Sequence, residues 1–360
     1  MNIDLFLSSQ HKQRKEKSAW DLLLPLENEP YARRFLKKKY QHQGIDHPER
    51  AAFFAGEPLV YYLRQAREIY ETVAGSSLLV QPLIAYYGMI NLIKVWILTI
   101  DPSYPNNTSV LRHGLSTRRR KGNNYSFAKD EVRVQREGLF PLTATLLGQK
   151  NMEGNTYSSK FLLSEIPELQ KSYQEIFQET TYYPVFMEDS LTNEDITYCY
   201  IQESILDTYH LTENAFITWL NRHRLNPNHY FTLNQPAVTK GYLTFLWVHP
   251  SQFTFLEEHP FFRKDMQGGI YLFTGKHRPV PLPEILIHYM LLFSLSMLSR
   301  YEPPIWGEIA LGFGSEEVVL IRQFLQLTLQ KFPQLILQLL CEEWNSPLHQ
   351  FLKKTGKLFV

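Results

Sequence analysis

Cysteine is scarce in this sequence of 360 residues: only Cys199 and Cys341 occur, and they form no CxxC pattern. This scarcity excludes a disulfide framework and a cysteine zinc site, and it favours a reducing, cytoplasmic location. The N-terminal sequence MNIDLFLSSQHKQRKEK places its charges after a very short apolar run, which is the wrong order for a signal peptide.

An excess of one charge is also absent, because 37 basic residues are balanced by 36 acidic ones. No global field therefore attracts nucleic acid or an acidic membrane, and any such binding needs a local patch.

The apolar stretch from Ser77 to Ile100 is long enough to span a membrane, but Gln81, Asn91 and Lys94 interrupt it and no basic flank follows. We predict a buried core helix there and no membrane partner.

The motifs of several enzyme classes are missing. The sequence contains no GxGxxG, no Walker loop, no GxSxG and no HExxH. Its acidic pairs, such as Glu316–Glu317, are adjacent residues whose side chains point apart, which makes them poor acid and base partners. We therefore predict no cofactor, no metal and no assigned catalytic residue.

Hydrophobic periodicity predicts a mainly α protein with an α+β middle part. Residues 1–150 and 277–360 are predicted to be helical parts that pack together as a bundle, with a short-stranded mixed part, 151–276, inserted between them. Pro58 at a first helical turn and Gly75 at the end bound one helix, and a second helix from Pro82 to Asp101 completes an antiparallel hairpin.

The C-terminal helices are predicted from the same signals. Ser315 is predicted to cap the N-terminus of one helix, and Pro333 is expected to break that same helix. The sequence LLFSLSMLSRYEPPIW, beginning at Leu291, predicts a buried helix whose serines bond backbone carbonyls one turn back and whose end is set by Pro303. At that end Arg300 and Tyr301 are predicted to contact a phosphate or carboxylate.

A second anion site is predicted in a basic segment that reads as an exposed loop. It contains Arg112 and His113, followed by Arg118, Arg119 and Arg120, whose guanidinium groups match phosphate oxygens. A nucleotide, RNA or an acidic protein could bind such a segment. The alternative is that the segment is a solvated basic loop that binds no ligand. His113 could also act as a general base near neutral pH.

Arg224 and His229 have the R-x4-H spacing of HEPN-type ribonucleases. In that motif both side chains project from one helix toward a phosphate. Pro227 lies between the two residues here and would interrupt such a helix.

Three stretches together resemble the YaaC-like family of bacterial proteins: PLIAYYGMINLIKVWI, then RHGLS, and later HYMLLFSLSMLSRYEPPIW. The resemblance spans nearly the whole chain. The positions that match the family's marks are Tyr86, Tyr87, Gly88, Asn91, His113, Gly114, Arg300, Tyr301, Pro303 and Trp306.

The resemblance implies a cytoplasmic protein with a helical part distantly similar to HEPN bundles. It also implies a context in purine metabolism, with IMP dehydrogenase as a possible protein partner, and it supplies no established catalytic residues. The function expected is non-enzymatic binding or regulation through a phosphate-bearing ligand or a protein partner. The alternative is a nuclease or nucleotide-processing enzyme that uses His113 or His229 with nearby arginines.

Overall fold

The computed structural model describes residues 18–119, 125–224, 227–249, 259–274, 282–312 and 315–342. Two predicted features lie outside the described residues: Arg120, and the sequence QFTFLEE at residues 252–258, whose aromatic and β-branched side chains favour a strand within the mixed part. Within the described ranges the chain is mainly helical and has two antiparallel sheets, which confirms the predicted class at that level.

The described residues form twelve α-helices: α1 Ala19–Leu23, α2 Glu29–Gln43, α3 Pro48–Ala74, α4 Gln81–Ile100, α5 Leu139–Leu146, α6 Ser159–Ser164, α7 Gln170–Phe177, α8 Ser204–Tyr209, α9 Glu213–His223, α10 Glu284–Tyr301, α11 Pro303–Leu311 and α12 Glu317–Glu342. They also form nine strands: β1 Leu115–Arg118, β2 Glu131–Val134, β3 Thr156–Ser158, β4 Tyr182–Asp189, β5 Ile196–Gln202, β6 Tyr230–Thr239, β7 Tyr242–Val248, β8 Phe262–Lys264 and β9 Ile270–Phe273.

Helices α3 and α4 form the predicted hairpin, but α3 begins at Pro48 rather than at Pro58. Pro58 lies inside the helix at an exposed position, where its ring faces solvent and not the packed core. The two helices approach closely at Gly88, because a Cβ there would lie 2.8 Å from the ring of Tyr70. Glycine at this point therefore sets how closely α3 packs on α4.

Helix α10 is buried along most of its length and packs on α4. The Ser296 hydroxyl donates to the carbonyl of Phe293, 2.7 Å away, as the sequence predicted. The Ser299 hydroxyl does not follow that prediction. It donates across the core to the Leu79 carbonyl at 2.7 Å, which also accepts from the Trp306 indole at 2.9 Å. These two bonds tie the end of α10 to the turn before α4.

Helix α12 continues through Pro333, so the predicted break is wrong. The Ser315 hydroxyl accepts a hydrogen bond from the Glu317 amide at the start of this helix. Buried residues on both sides of the proline, among them Phe332 and Ile336, pack into the main hydrophobic core. That packing outweighs the one backbone hydrogen bond that a proline removes.

The basic segment is not entirely a loop, because Leu115–Arg118 is a strand. It is the first strand of a three-stranded antiparallel sheet in the order β1-β2-β3, with Leu115 opposite Val134 and Arg118 opposite Glu131. Leu115, Val132 and Val134 bury their side chains in the helical core, which places the polar alternate residues outside.

The second sheet has six antiparallel strands in the order β6-β7-β5-β4-β9-β8. Its buried residues, from Tyr182 to Phe273, form a hydrophobic cluster separate from the one that joins the N- and C-terminal helices. Residues between Met152 and Tyr173 pack with the helices, so the separate cluster begins later than residue 151, where the sequence interpretation started the mixed part. Strand β6 was not predicted, and its pairing with β7 is irregular between Leu233 and Val238.

A buried ion cluster joins the two parts of the fold. The Lys331 ammonium on α12 lies 2.7 Å from the Glu168 carboxylate and 2.6 Å from that of Glu284 on α10. Glu168 also accepts a hydrogen bond from the backbone amide of Met266, which lies between β8 and β9. The charges are therefore paired where the helical core meets the six-stranded sheet.

Among the described residues, α4 is the one helix that is long and apolar enough to cross a membrane by length and composition. Most of it is buried inside the protein, as in the core helix of a globular domain.

Candidate functional site

A cavity of about 550 Å³ lies between α3, α4 and the segment that leads from Tyr104 to His113. This volume is within the range of small-molecule sites. Its walls are formed by Gln65, Ile69, Leu83, Ile84, Tyr87, Ile90, Asn91, Lys94, Tyr104, Val110, Leu111, Arg112, His113 and Leu139.

Lys94 is the cavity's half-buried cation. It lies in the apolar helix α4, and its ammonium group is 4.8 Å from the centre of the Tyr62 ring. Burial lowers the pKa of Lys94. No carboxylate among the described residues pairs with it, although a buried charge is costly without a partner. Lys94 therefore brings to the cavity an amine that no described carboxylate pairs, and an anionic ligand beside it would favour its charged form.

Two buried polar side chains complete the interior of the cavity. Asn91 donates from Nδ2 to Oε1 of Gln65 at 2.8 Å, which leaves the second polar atom of each amide without a partner among the described residues. The Tyr104 hydroxyl is buried and also lacks a hydrogen-bond partner there. Burial raises the pKa of Tyr104, so this hydroxyl stays protonated and is able to donate. A buried hydroxyl normally has a hydrogen-bond partner, and a polar ligand would supply one to Tyr104.

His113 lies at the edge of the cavity against an aromatic cluster. Its Nδ1 atom is 2.9 Å from the Tyr86 hydroxyl, and its ring is 5.4 Å from that of Tyr86 and 5.7 Å from that of Phe293. Burial, followed by the charges of Arg300 and Lys94, lowers the pKa of His113 below its ordinary value. The imidazole is therefore mainly neutral at pH 7, and it provides a hydrogen bond rather than a charge.

Two glycines hold the His113 segment in place. Gly114 has a φ of +77° and Gly138 a φ of +135°, in the region that favours glycine. A Cβ on Gly138 would lie 2.4 Å from the Cα of Gly114, so the two backbones cross in contact. At this crossing the first amides of α5 donate to the carbonyls of Arg112 and His113, at 2.7 and 3.1 Å.

Arg112 lies at the mouth of the cavity. Its guanidinium is exposed and 3.8 Å from the Glu137 carboxylate, a weak surface pair that leaves it able to reach a ligand. Arg112 and His113 also line a second cavity of about 520 Å³, on the side of Gln135 and Arg136.

The other predicted anion-binding residues are distributed differently. Arg119 forms an ion pair with Glu302, so the basic segment meets the end of α10, but the charge of Arg119 is already neutralised. Arg300 and Tyr301 are exposed there, with the guanidinium 5.0 Å from the ring centre. Arg118 is exposed on β1, and Arg120 lies outside the described residues. The cavity between α3 and α4 is therefore not lined by Arg118, Arg119, Arg300 or Tyr301.

Arg224 and His229 do not share a helix, because α9 ends at His223 and His229 precedes β6. Arg224 donates to the Asn221 side chain, while His229 is buried and accepts a hydrogen bond from the Trp247 indole at 3.0 Å. Burial, with the nearby charges of Arg224 and His249, lowers the pKa of His229 to about 4. The arrangement differs from the single helix that the R-x4-H motif requires.

Sequence reasoning did not identify Lys94, Gln65 and Tyr104 as site residues. A lysine within an otherwise apolar helix was the available signal, together with Asn91 one turn before it. Among the described residues, no group of three or more metal-ligating side chains is close enough to hold a metal ion.

Comparison with protein families matches residues 24–340 to the model of the YaaC-like protein family. No curated protein and no solved structure matches the chain.

Proposed function

The chain belongs to the YaaC-like family, and we propose that it is a cytoplasmic, non-enzymatic protein that binds a small phosphate-bearing ligand in the cavity between α3 and α4. The half-buried ammonium of Lys94, which pairs with no carboxylate in the described part of the chain, carries this proposal. An anion placed beside it would compensate a charge that no carboxylate of the described residues pairs.

The surrounding groups fit the same ligand chemistry. Arg112 at the mouth supplies a second cation, and the protonated Tyr104 hydroxyl and neutral His113 supply hydrogen bonds. Most of the other lining residues are apolar, as in sites that enclose an organic ligand. Binding rather than catalysis is proposed because the described cavity residues include no carboxylate to act as a base or to hold a metal.

The family resemblance suggests purine nucleotides as the first phosphate compounds to test and IMP dehydrogenase as the first protein partner. The exposed Arg118, Arg300 and Tyr301 belong to the surface on which we would place such a partner or RNA.

The proposal is tested by calorimetry and thermal shift with purine nucleotides and with pyrophosphate. Replacing Lys94 with Met keeps the aliphatic stem and removes the charge, so we expect affinity to fall about 10- to 100-fold, the value of a charge-assisted hydrogen bond. Lys264→Met, at an exposed position of strand β8, is the matched control and should bind like the parent protein. Equal binding by Lys94→Met and the parent would exclude this site.

The alternative function is a nuclease or nucleotide-processing enzyme, with a helical part distantly similar to HEPN bundles. The observation that favours it is the neutral imidazole of His113 at the cavity edge, oriented by the Tyr86 hydroxyl. Incubation with nucleotides and with RNA distinguishes the two functions. Product that forms with the parent protein and disappears in His113→Asn would establish catalysis.

A further inference from the structure

The cavity wall formed by α4 changes character along the helix. Tyr87, Asn91 and Lys94 are four and three residues apart, so they share one face, and about 10 Å of helix separates the first from the last. Tyr87 is partly exposed and has the apolar side chains of Ile69 and Ile84 near it in the cavity wall. An aromatic and apolar end is therefore followed by an amide and then by a cation.

In the middle of this wall, the side-chain amides of Asn91 and Gln65 together offer one hydrogen-bond donor and one acceptor to a ligand. With Nδ2 of Asn91 bound to Oε1 of Gln65, the remaining atoms are the Asn91 oxygen and the Gln65 nitrogen. If both amides were turned over, the free pair would still be one donor and one acceptor. This pattern complements the edge of a nucleobase, where a hydrogen-bond donor and an acceptor are adjacent.

The order of these groups matches the order of groups in one nucleotide. A flat base would lie against Tyr87 and bond the amides, and its phosphate would reach Lys94 about 10 Å away along the helix. The Tyr104 hydroxyl lies near Tyr62, and therefore at the cationic end of the cavity. Among the described cavity residues the cations are Lys94 and Arg112, a small set that suits one phosphate group better than three.

We propose that the cavity binds a nucleoside monophosphate, with the base recognised by Tyr87, Asn91 and Gln65. This inference rests on the proposed phosphate site at Lys94 and extends it to the part of the ligand that carries no charge.

The experiment measures binding of the full chain to the common nucleoside 5′-monophosphates, ribose 5-phosphate and adenosine triphosphate. At least one monophosphate should bind about tenfold or more tightly than ribose 5-phosphate, and the triphosphate should not bind better. Gln65→Met removes one amide from an exposed helix position, so it should not disturb folding. We expect it to weaken nucleotide binding about 3- to 10-fold and to leave ribose 5-phosphate unchanged.

Gln323→Met, at an exposed position of α12, is the matched control and should bind all ligands like the parent. Equal affinity for ribose 5-phosphate and every monophosphate, lost in Lys94→Met, would refute base recognition while retaining the phosphate site. Tighter binding of the triphosphate would refute the monophosphate assignment. Absence of binding by every phosphate compound would refute both this inference and the proposed function.

Discussion

Replacing Lys331 with Met should destabilise the protein strongly, because it leaves two buried carboxylates without their cation. The Lys331 side chain is 5% exposed, and those of Glu168 and Glu284 are 9% and 10% exposed. Burial alone would lower the pKa of Lys331, but the charges of Glu284 and Glu168 outweigh it and raise that pKa. The lysine therefore remains charged in the folded protein.

The expected loss is about 3 to 5 kcal/mol in the free energy of unfolding at pH 7, the range for breaking a buried ion pair by removing one partner. Burial already raises the pKa of Glu168 against the opposing charge of Lys331, and the substitution removes that opposition. A carboxyl with a raised folded-state pKa binds more protons folded than unfolded, so stability increases as the pH falls. The deficit of Lys331→Met should therefore be smaller at pH 5 than at pH 7.

Urea denaturation followed by circular dichroism at both pH values measures these differences. Lys37→Met is the matched control, because Lys37 lies 2.7 Å from Glu49 but the two side chains are 41% and 62% exposed. That pair should contribute less than about 1 kcal/mol. Equal losses in the two variants would refute the argument that burial, rather than distance, determines the effect.

Burial lowers the pKa of His288 to about 3, so its neutral form contributes stability above pH 6.5. This contribution is lost as the pH falls toward 3, by about 1.4 kcal/mol per pH unit. Urea titrations of a His288→Gln variant should not show this part of the pH dependence. Gly138→Ala should lower the melting temperature more than Gly148→Ala does. Both glycines have a positive φ, but of the two only a Cβ on Gly138 would meet another described backbone, that of Gly114. Equal melting temperatures of the two variants would contradict the importance of this backbone contact. Ser299→Ala should cost about 1 kcal/mol, and Trp306→Phe should cost more because it also removes part of a buried ring. The double variant should lose more than the sum, because the Leu79 carbonyl then loses both of these hydrogen bonds. Additive losses in denaturation would contradict this coupling.

Sequence pattern alone was sufficient for the helices α4 and α10. Their long apolar runs are local signals, and so are Asp101 and Pro303, which were predicted to end them. In the structure the two helices end close to these residues, at Ile100 and Tyr301. Strand β1 was missed because four residues with Ser, Thr and Arg show little apolar alternation, and its strand character depends on pairing with β2.

The candidate site likewise contains residues that local sequence identified and residues that only the packing of the helices revealed. Arg112 and His113 were selected from local basicity and lie at the cavity, whereas Lys94 looked like an interruption of an apolar helix. Its surroundings exist only once α3 packs on α4 and brings Gln65 to Asn91, residues 26 positions apart. Arg119 was predicted to bind an anion, and the fold supplies one from the protein itself in Glu302.

The amino-acid sequence by itself determined the mainly helical class, the family and the helix ends where glycine, aspartate or proline stops a turn, because these depend on neighbours along the chain. The tertiary structure decided that Pro58 and Pro333 lie within helices. It also decided that, among the described residues, no carboxylate pairs with Lys94 whereas two pair with Lys331. The physical reason is that burial and charge pairing are properties of surfaces brought together from distant parts of the chain, and local spacing does not specify them.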